Sequence, residues 1–215
     1  MSRAIYVPPE EQKRLFANTL ADPVNGVRNH AILRLMYGYP IRAGELSVLK
    51  THDLATDQGI IRPRSESELL RAEISFSGEP RPFPLQCPII IDALQKWLDQ
   101  RFEKSWGIID GHLDMEAPFF LKNKTEGFTI TRTKRGDKIT KSPEGMNRLI
   151  AKLHRLNEIE GNVETPLRTW TLIQHERGVK LKNIWTLRGD KTIETVRSVC
   201  RNHPVKLASM VASVI

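Results

Sequence analysis

The stretch YGYPIRAGEL, residues 37 to 46, decides how this chain folds. An apolar run over residues 31–36 leads into it, and a second apolar run begins at Leu46. Gly38 and Pro40 interrupt the pattern between the two runs, which predicts two buried helices joined by a tight turn. Arg42 lies at that junction, with Glu45 three residues later. An arginine in this place is either half of a structural ion pair or a binding site for an anion.

Composition favours a soluble protein that binds a polyanion. The 215 residues carry 33 Lys and Arg against 25 Asp and Glu, a formal net charge of +8, which fits a nucleic-acid partner. The length favours a single domain over residues 1–215. No run of about eighteen apolar residues and no signal-peptide core is present, so we expect no membrane contact. Cys87 and Cys200 lie far apart, which argues against a zinc site or a disulfide framework. We expect no metal, no cofactor and a reducing cytoplasm.

Hydrophobic periodicity predicts an α+β chain that is mainly α. Helices are expected from about Val7, over Val27–Tyr37, from Ala43 to Lys50 and over Ile89–Phe102, followed by further helices in the C-terminal third. Ile60–Ile61, residues 72–76 and residues 81–85 alternate as strands do, and the last of these carries two prolines that favour a sheet edge. Residues 51–53 are predicted to form a turn.

The most basic segment spans residues 122–141 and holds seven Lys or Arg residues. Its pattern predicts a hairpin around Arg135-Gly136-Asp137. It is either a solvated charged face or a contact to a phosphate backbone, and the sequence does not separate the two. As DNA-binding candidates it contributes Lys122, Lys124, Arg132, Lys134, Arg135 and Lys138.

A second arginine stands at the start of a predicted helix. Thr165 is expected to be the N-cap, Pro166 the first helical residue, and Gly178 the end. Arg168 then falls in the first turn, where free backbone N–H groups favour an anion. Helices over Leu181–Leu187 and around 193–199 follow.

Taken in order, these motifs resemble the catalytic domain of the tyrosine recombinases, the phage integrase family. The resemblance rests on residues 40–46 (PIRAGEL), 83–85 (FPL), 165–168 (TPLR) and 177–190 (RGVKLKNIWTLRGD), and it spans nearly the whole chain. It implies a helical bundle with a small antiparallel sheet on one side. It also implies that an N-terminal core-binding domain is absent, so that half of the clamp around DNA is missing.

The resemblance assigns two arginines to the scissile phosphate. Arg42 and Arg168 occupy the positions of the family's phosphate clamp, where guanidinium forks stabilise the charge of the transition state. Glu45 matches the acidic residue that we expect to orient Arg42. We include Arg81, on the predicted edge strand, among the DNA-binding candidates. An Arg42–Glu45 pair that only holds the turn is the structural alternative.

The other catalytic positions depart from the family. The hairpin turn, residues 76–79, lacks the family's proton-transfer lysine, and Thr165 replaces a histidine. Asp190 replaces a histidine or tryptophan, and its negative charge would oppose an incoming phosphate. Val199 and Cys200 stand where the nucleophilic tyrosine is expected. A Cys200 thiolate could attack a phosphate if its pKa were lowered, but its apolar neighbours favour a core residue.

Three functions follow from this mixture of retained and lost residues. The favoured hypothesis is a catalytically inactive, double-stranded-DNA-binding accessory factor in recombination or integration of a mobile element, in a prokaryotic cytoplasm. Another recombinase or protein would supply the missing half of the clamp. The alternatives are an active recombinase with a non-standard or partner-supplied nucleophile, and an interaction scaffold that no longer binds DNA. The apolar tail over residues 207–215 either mediates self-association or packs on its own core.

Overall fold

The computed structural model describes residues 6–135 and 138–201, with the side chains of residues 132–141 left out. Within these ranges the chain is mainly helical, which confirms the predicted class. The helices are α1 (Pro9–Leu20), α2 (Gly26–Gly38), α3 (Ala43–Val48), α4 (Thr51–Leu54), α5 (Pro88–Glu103), α6 (Glu144–Leu156), α7 (Thr165–Glu176), α8 (Leu181–Arg188) and α9 (Ile193–Arg201). No helix in the described part combines the length and apolarity that a membrane crossing requires.

The strands form three separate antiparallel pairs rather than one sheet. The first pair is β1 (Leu69–Leu70) with β2 (Arg81–Pro82), the second is β3 (Ile108–Ile109) with β4 (His112–Leu113), and the third is β5 (Thr131–Arg135) with β6 (Lys138–Ser142). The third pair is the predicted hairpin, although residues 136–137 of its turn lie outside the described residues. The second pair was not predicted, because two-residue strands carry too little alternation to detect.

Two local predictions were wrong. Residues 72–76 form turns and not a strand, since the N–H groups of Ile74 and Ser75 both donate to the carbonyl oxygen of Arg71, at 3.1 and 2.9 Å. Consecutive burial of Ile74 and Ser75 also breaks the alternation that a strand requires. Residues 51–53, predicted as a turn, belong to the one-turn helix α4, and the Asp53 carboxylate accepts the Lys50 N–H at 2.8 Å.

The main hydrophobic core forms around α2. Its residues 31–33 and 35–37 are buried, as the apolar run predicted, and the helix packs against α1, α5 and α7. A smaller cluster lies among α7, α8 and α9 and contains Trp170, Ile184, Val196 and Cys200. Helix α7 therefore contacts both α2 of the main core and the C-terminal helices α8 and α9.

A buried ion pair joins the α2–α3 junction to distant segments. Glu45 and Arg81 are each 2% exposed, and their carboxylate and guanidinium groups lie 2.9 Å apart. The Glu45 carboxylate also accepts the backbone N–H groups of Arg42 (2.8 Å) and Phe76 (2.9 Å). The Arg81 guanidinium donates to the carbonyl oxygens of Pro40 and Leu187. The pair thus ties α3, the 71–79 turn, β2 and the end of α8 together.

Replacement of Glu45 by alanine should destabilise the protein strongly. The Arg81 guanidinium would remain buried without its counter-charge, which costs about 3–5 kcal/mol of unfolding free energy. Urea denaturation measures this loss. The matched control is Asp92→Ala, which removes the exposed Asp92–Lys96 pair and should cost less than about 0.5 kcal/mol. Equal losses for the two variants would contradict the structural role of Glu45.

A second buried polar contact links α2 to α6. The Tyr37 hydroxyl lies 3.0 Å from Nε2 of His154, which is 1% exposed, and the two rings meet edge to face. Burial lowers the pKa of His154 from an ordinary 6.5 to about 4. The folded protein therefore holds this imidazole in its neutral form at physiological pH.

This histidine makes stability depend on pH. Below about pH 6.5 the unfolded chain binds a proton at His154 that the folded protein does not bind until about pH 4. The stability is full above pH 6.5 and falls towards pH 4, by roughly 3 kcal/mol. Urea melts at several pH values should show a smaller pH slope for His154→Gln than for wild type. The exposed His112 provides the control: His112→Gln should keep the wild-type slope.

Candidate nucleic-acid interface

Arg42 is mostly buried at the start of α3, and its side chain is only 10% exposed. One guanidinium nitrogen donates to the Arg188 carbonyl oxygen at 2.7 Å, and another is hydrogen-bonded to the Asp190 carboxylate. The guanidinium carbon lies 4.2 Å from the ring centre of Phe76. Arg42 is therefore held by α8, by the residue after it and by the 71–79 turn.

The expected pairing of the Arg42 guanidinium with Glu45 is not observed. Glu45 accepts the backbone N–H of Arg42, while its ion-pair partner is Arg81. Both carboxylate oxygens of Glu45 are occupied by these donors and by the Phe76 N–H. Glu45 consequently shapes the turn on which Arg42 stands and acts on the Arg42 side chain only at a distance.

Asp190 neutralises much of the positive charge at this place. Its side chain is 5% exposed, and its carboxylate pairs with both Arg42 and Arg188. The Arg188 guanidinium also donates to the Thr171 hydroxyl on α7. Gly189 turns the chain between the two residues with φ +60°, and a Cβ atom there would lie 2.5 Å from Arg81 Cδ. The close packing of Gly189 on Arg81 fixes where the Asp190 carboxylate points.

Several charges act on the Arg42 guanidinium. Burial lowers the pKa of Arg42 below its ordinary value, and the nearby carboxylates, with Asp190 first, oppose this shift. Glu164, the residue just before α7, is among the carboxylates that act on it. Arginine remains charged at neutral pH under such a shift. The Arg42 charge is thus retained but is paired inside the protein.

Arg168 lies in the first turn of α7, as predicted, and is half-buried. Its backbone N–H is already used, donating to the Glu164 carbonyl oxygen at 3.0 Å. Its guanidinium makes no hydrogen bond or ion pair with the described residues, which leave out the side chains of 132–141. Because Thr171 follows it by three residues, Arg168 shares the helix face that contacts Arg188. In this respect Arg168 differs from Arg42 and Arg188, whose guanidinium groups both pair with Asp190.

Thr165 does not cap α7. It is the first helical residue, Glu164 precedes it, and its hydroxyl accepts the Asn162 N–H at 2.9 Å instead. The threonine is 1% exposed. Its hydroxyl therefore holds the preceding turn, and the predicted N-cap role was wrong.

The other basic candidates are distributed differently. Arg81 is buried in the Glu45 pair, so its guanidinium is not available to a phosphate. Lys122 and Lys124 are exposed. The remaining four candidates are on the β5–β6 hairpin, and their side chains lie outside the described residues: Arg132, Lys134, Arg135 and Lys138.

Val199 and Cys200, where the resemblance expects the nucleophile, both lie on α9. Cys200 is 6% exposed in the cluster with Val196, and burial raises the pKa of its thiol, with Arg188 opposing the shift. A raised pKa reduces the thiolate fraction that could attack. Val199 has no nucleophilic atom. Among the tyrosines, the Tyr37 hydroxyl meets His154, and the Tyr39 hydroxyl accepts the N–H groups of residues 86 and 87.

A groove of about 460 Å³ runs beside this cluster. It lies between the 77–82 segment and the end of α8, and Trp185 and Lys191 form part of its wall. Within the described ranges, no group of three or more His, Cys, Asp or Glu side chains is placed to hold a metal ion. Sequence reasoning missed the contacts that Arg188 and Phe76 make with Arg42. The one signal of these contacts in the sequence was that Arg188 stands two residues before Asp190.

Comparison with known proteins relates the chain to recombinases through structure. No family model and no curated protein matches the sequence. XerA recombinase superposes with a TM-score of 0.66 and 19% identity over 99% of this chain and 65% of its own. XerH site-specific recombinase in a post-cleavage complex with its difH substrate gives 0.61 and 12%, over 100% and 54% of the two chains.

A transposon integrase gives a similar result. The Tn1549 integrase in complex with circular intermediate DNA superposes with a TM-score of 0.60 and 16% identity, over 100% of this chain and 66% of its own. The chain thus spans between about half and two thirds of the length of these proteins. Together with the mainly helical architecture, the superpositions show that the chain has the fold of the tyrosine recombinase catalytic domain.

Proposed function

We propose that this chain is a DNA-binding protein with the tyrosine-recombinase fold that does not cleave DNA. It acts as an accessory or regulatory factor in recombination or integration of a mobile element, associated with DNA in a prokaryotic cytoplasm. The observation that carries the proposal is the Asp190 carboxylate, which occupies the Arg42 guanidinium from inside the protein. The net charge of +8 and the DNA-bound structures of XerH and the Tn1549 integrase support a DNA partner.

The pairing of Arg42 with Asp190 gives Arg42 and Arg168 different roles in this proposal. Arg42 and Arg188 share one carboxylate, so this trio has a net charge of +1. Arg168 has no described partner and offers a guanidinium fork that matches a phosphate. Arg168 therefore makes the phosphate contact, while Arg42 provides a background positive charge. The exposed Lys122 and Lys124 add salt-dependent attraction.

Loss of cleavage follows from the same geometry. Phosphate cleavage with a covalent intermediate needs a nucleophile next to a phosphate that both arginines stabilise. Here Val199 has no such group, the Cys200 thiol is buried, and Asp190 competes with the phosphate for Arg42. A protein partner, such as an active recombinase, completes the DNA complex in this proposal. The tail over residues 207–215 lies outside the described residues, so tail-mediated association stays a prediction.

An active recombinase is the second candidate, because Arg42 lies near the start of the helix that carries Arg168. A partner would then supply the nucleophile. Incubation with a nicked duplex, followed by denaturing electrophoresis, separates the two functions. A denaturant-stable protein–DNA adduct supports the enzyme, and its absence in the presence of DNA binding supports the accessory factor.

Replacement of Arg168 by alanine should weaken binding to random duplex DNA and flatten its salt dependence. Loss of one phosphate contact should reduce the slope of log K against log salt by about 0.9. Fluorescence anisotropy across a salt series measures both quantities. The matched control is Arg177→Ala, since Arg177 is exposed just beyond the other end of α7. An absence of wild-type binding at low salt would overturn the proposed function.

Replacement of Asp190 by asparagine should strengthen DNA binding. The change removes a buried negative charge and frees the Arg42 guanidinium while keeping a hydrogen-bond acceptor, so we expect a gain of about fivefold, or about 1 kcal/mol. The same anisotropy assay measures it. Adding Arg42→Ala to this variant should cancel the gain. A gain that persists in the double variant would mean that Arg42 is not the group that Asp190 masks.

A further inference from the structure

Phe76 is the most exposed aromatic side chain in the part of the chain that the structure describes, with 58% of its surface accessible. Single exposed apolar side chains are common on protein surfaces and need no function. Phe76 differs because its position is fixed at two points. Its backbone N–H donates to the buried Glu45 carboxylate at 2.9 Å, and its ring stacks on the Arg42 guanidinium.

Phe102, the next most exposed phenylalanine, provides the contrast. It is 37% exposed, and its ring packs closely against Gly59, where a Cβ atom would lie 2.5 Å from the ring. Phe102 therefore covers backbone of its own chain. The Phe76 ring instead contacts the cation of Arg42, and most of the side chain faces water.

The turn that carries Phe76 is open to a large ligand. Apart from Gly78 and its chain neighbours, no heavy atom of the described residues lies within 4 Å of the Cβ position at Gly78, two residues further along. The turn leads directly into the groove lined by Ser77, Glu79 and Lys191. An aromatic ring held in place beside an open groove loses little conformational freedom when it stacks on a flat ligand.

The charges around the ring select the kind of flat ligand. Arg42 beneath the ring and Arg168 in the neighbouring helix favour an anion nearby, whereas the exposed Glu79 and Glu73 in the same turn repel one from its tip. A nucleotide meets both demands, because its base is flat and uncharged and its phosphate lies a few ångströms away. Proteins that bind unpaired strands combine aromatic platforms with nearby positive charge.

We propose that Phe76 is a stacking platform for an unpaired nucleobase whose adjoining phosphate lies at Arg168. The inference rests on the proposed DNA-binding function and deepens it. It assigns the chain a preference for DNA with an interrupted base stack, as at a gap, over an intact duplex. In an intact duplex the base faces are already stacked, so the ring contributes little.

The test compares a duplex carrying a short single-stranded gap with an intact duplex of the same sequence, both binding to the full chain by anisotropy. Wild type should bind the gapped DNA about tenfold more tightly, the size expected for stacking on one base. Phe76→Ala and Phe76→Leu should lose this preference and keep the wild-type affinity for intact duplex. Phe76→Trp should retain it, and the control Phe102→Ala should behave as wild type. Urea melts confirm that the Phe76 variants, changed at an exposed side chain, are folded.

The possible results separate this inference from the proposed function. If wild type binds both DNAs equally and Phe76→Ala changes neither, the DNA-binding function stands and the stacking platform is overturned. If Phe76→Leu keeps the preference, the contact is merely apolar and the inference is also overturned. If wild type binds neither DNA at low salt, both the proposed function and the inference fail.

Discussion

The buried pair of Glu45 and Arg81 is the interaction on which the site depends. Two charges withdrawn from water are tolerated because every oxygen of Glu45 meets a donor and Arg81 also reaches the carbonyl groups of residues 40 and 187. These contacts bring together the α2–α3 junction, the 71–79 turn and the end of α8. Arg42, Phe76 and Asp190 stand on those three segments. Their mutual contacts are therefore a consequence of one ion pair in the core.

The site that results is a pair of arginines, Arg42 and Arg188, bound by the protein's own Asp190 carboxylate. Asp190 lies between Arg42 and Arg188 and is almost fully buried, so solvent screens these interactions weakly. An external phosphate must compete with an ion pair that is already organised. Arg168 escapes this competition, since its guanidinium has no partner among the described residues. We therefore propose DNA contact without DNA cleavage for a chain that has the recombinase fold.

Whether a feature was predicted correctly depended on whether local sequence or a particular hydrogen bond determines it. The apolar run of α2 and the basic hairpin at 131–142 were predicted correctly, because helical periodicity and turn residues are local properties. The strand at 72–76 was not, since hydrogen bonds to Arg71 override a weak alternation. The N-cap at Thr165 failed for a similar reason: its hydroxyl serves Asn162, and sequence spacing does not show which donor a hydroxyl accepts.

By itself the sequence determined the order of the main helices, the positive charge, and the places of Arg42 just before α3 and of Arg168 in the first turn of α7. Only the tertiary structure decided how the charged residues pair. Glu45 pairs with the Arg81 guanidinium rather than with that of Arg42, three residues before it. Asp190 pairs with Arg42, which is 148 positions away in the sequence. The physical reason is that a buried charge pairs with whichever opposite charge packing brings within reach, and packing joins residues that are distant in sequence.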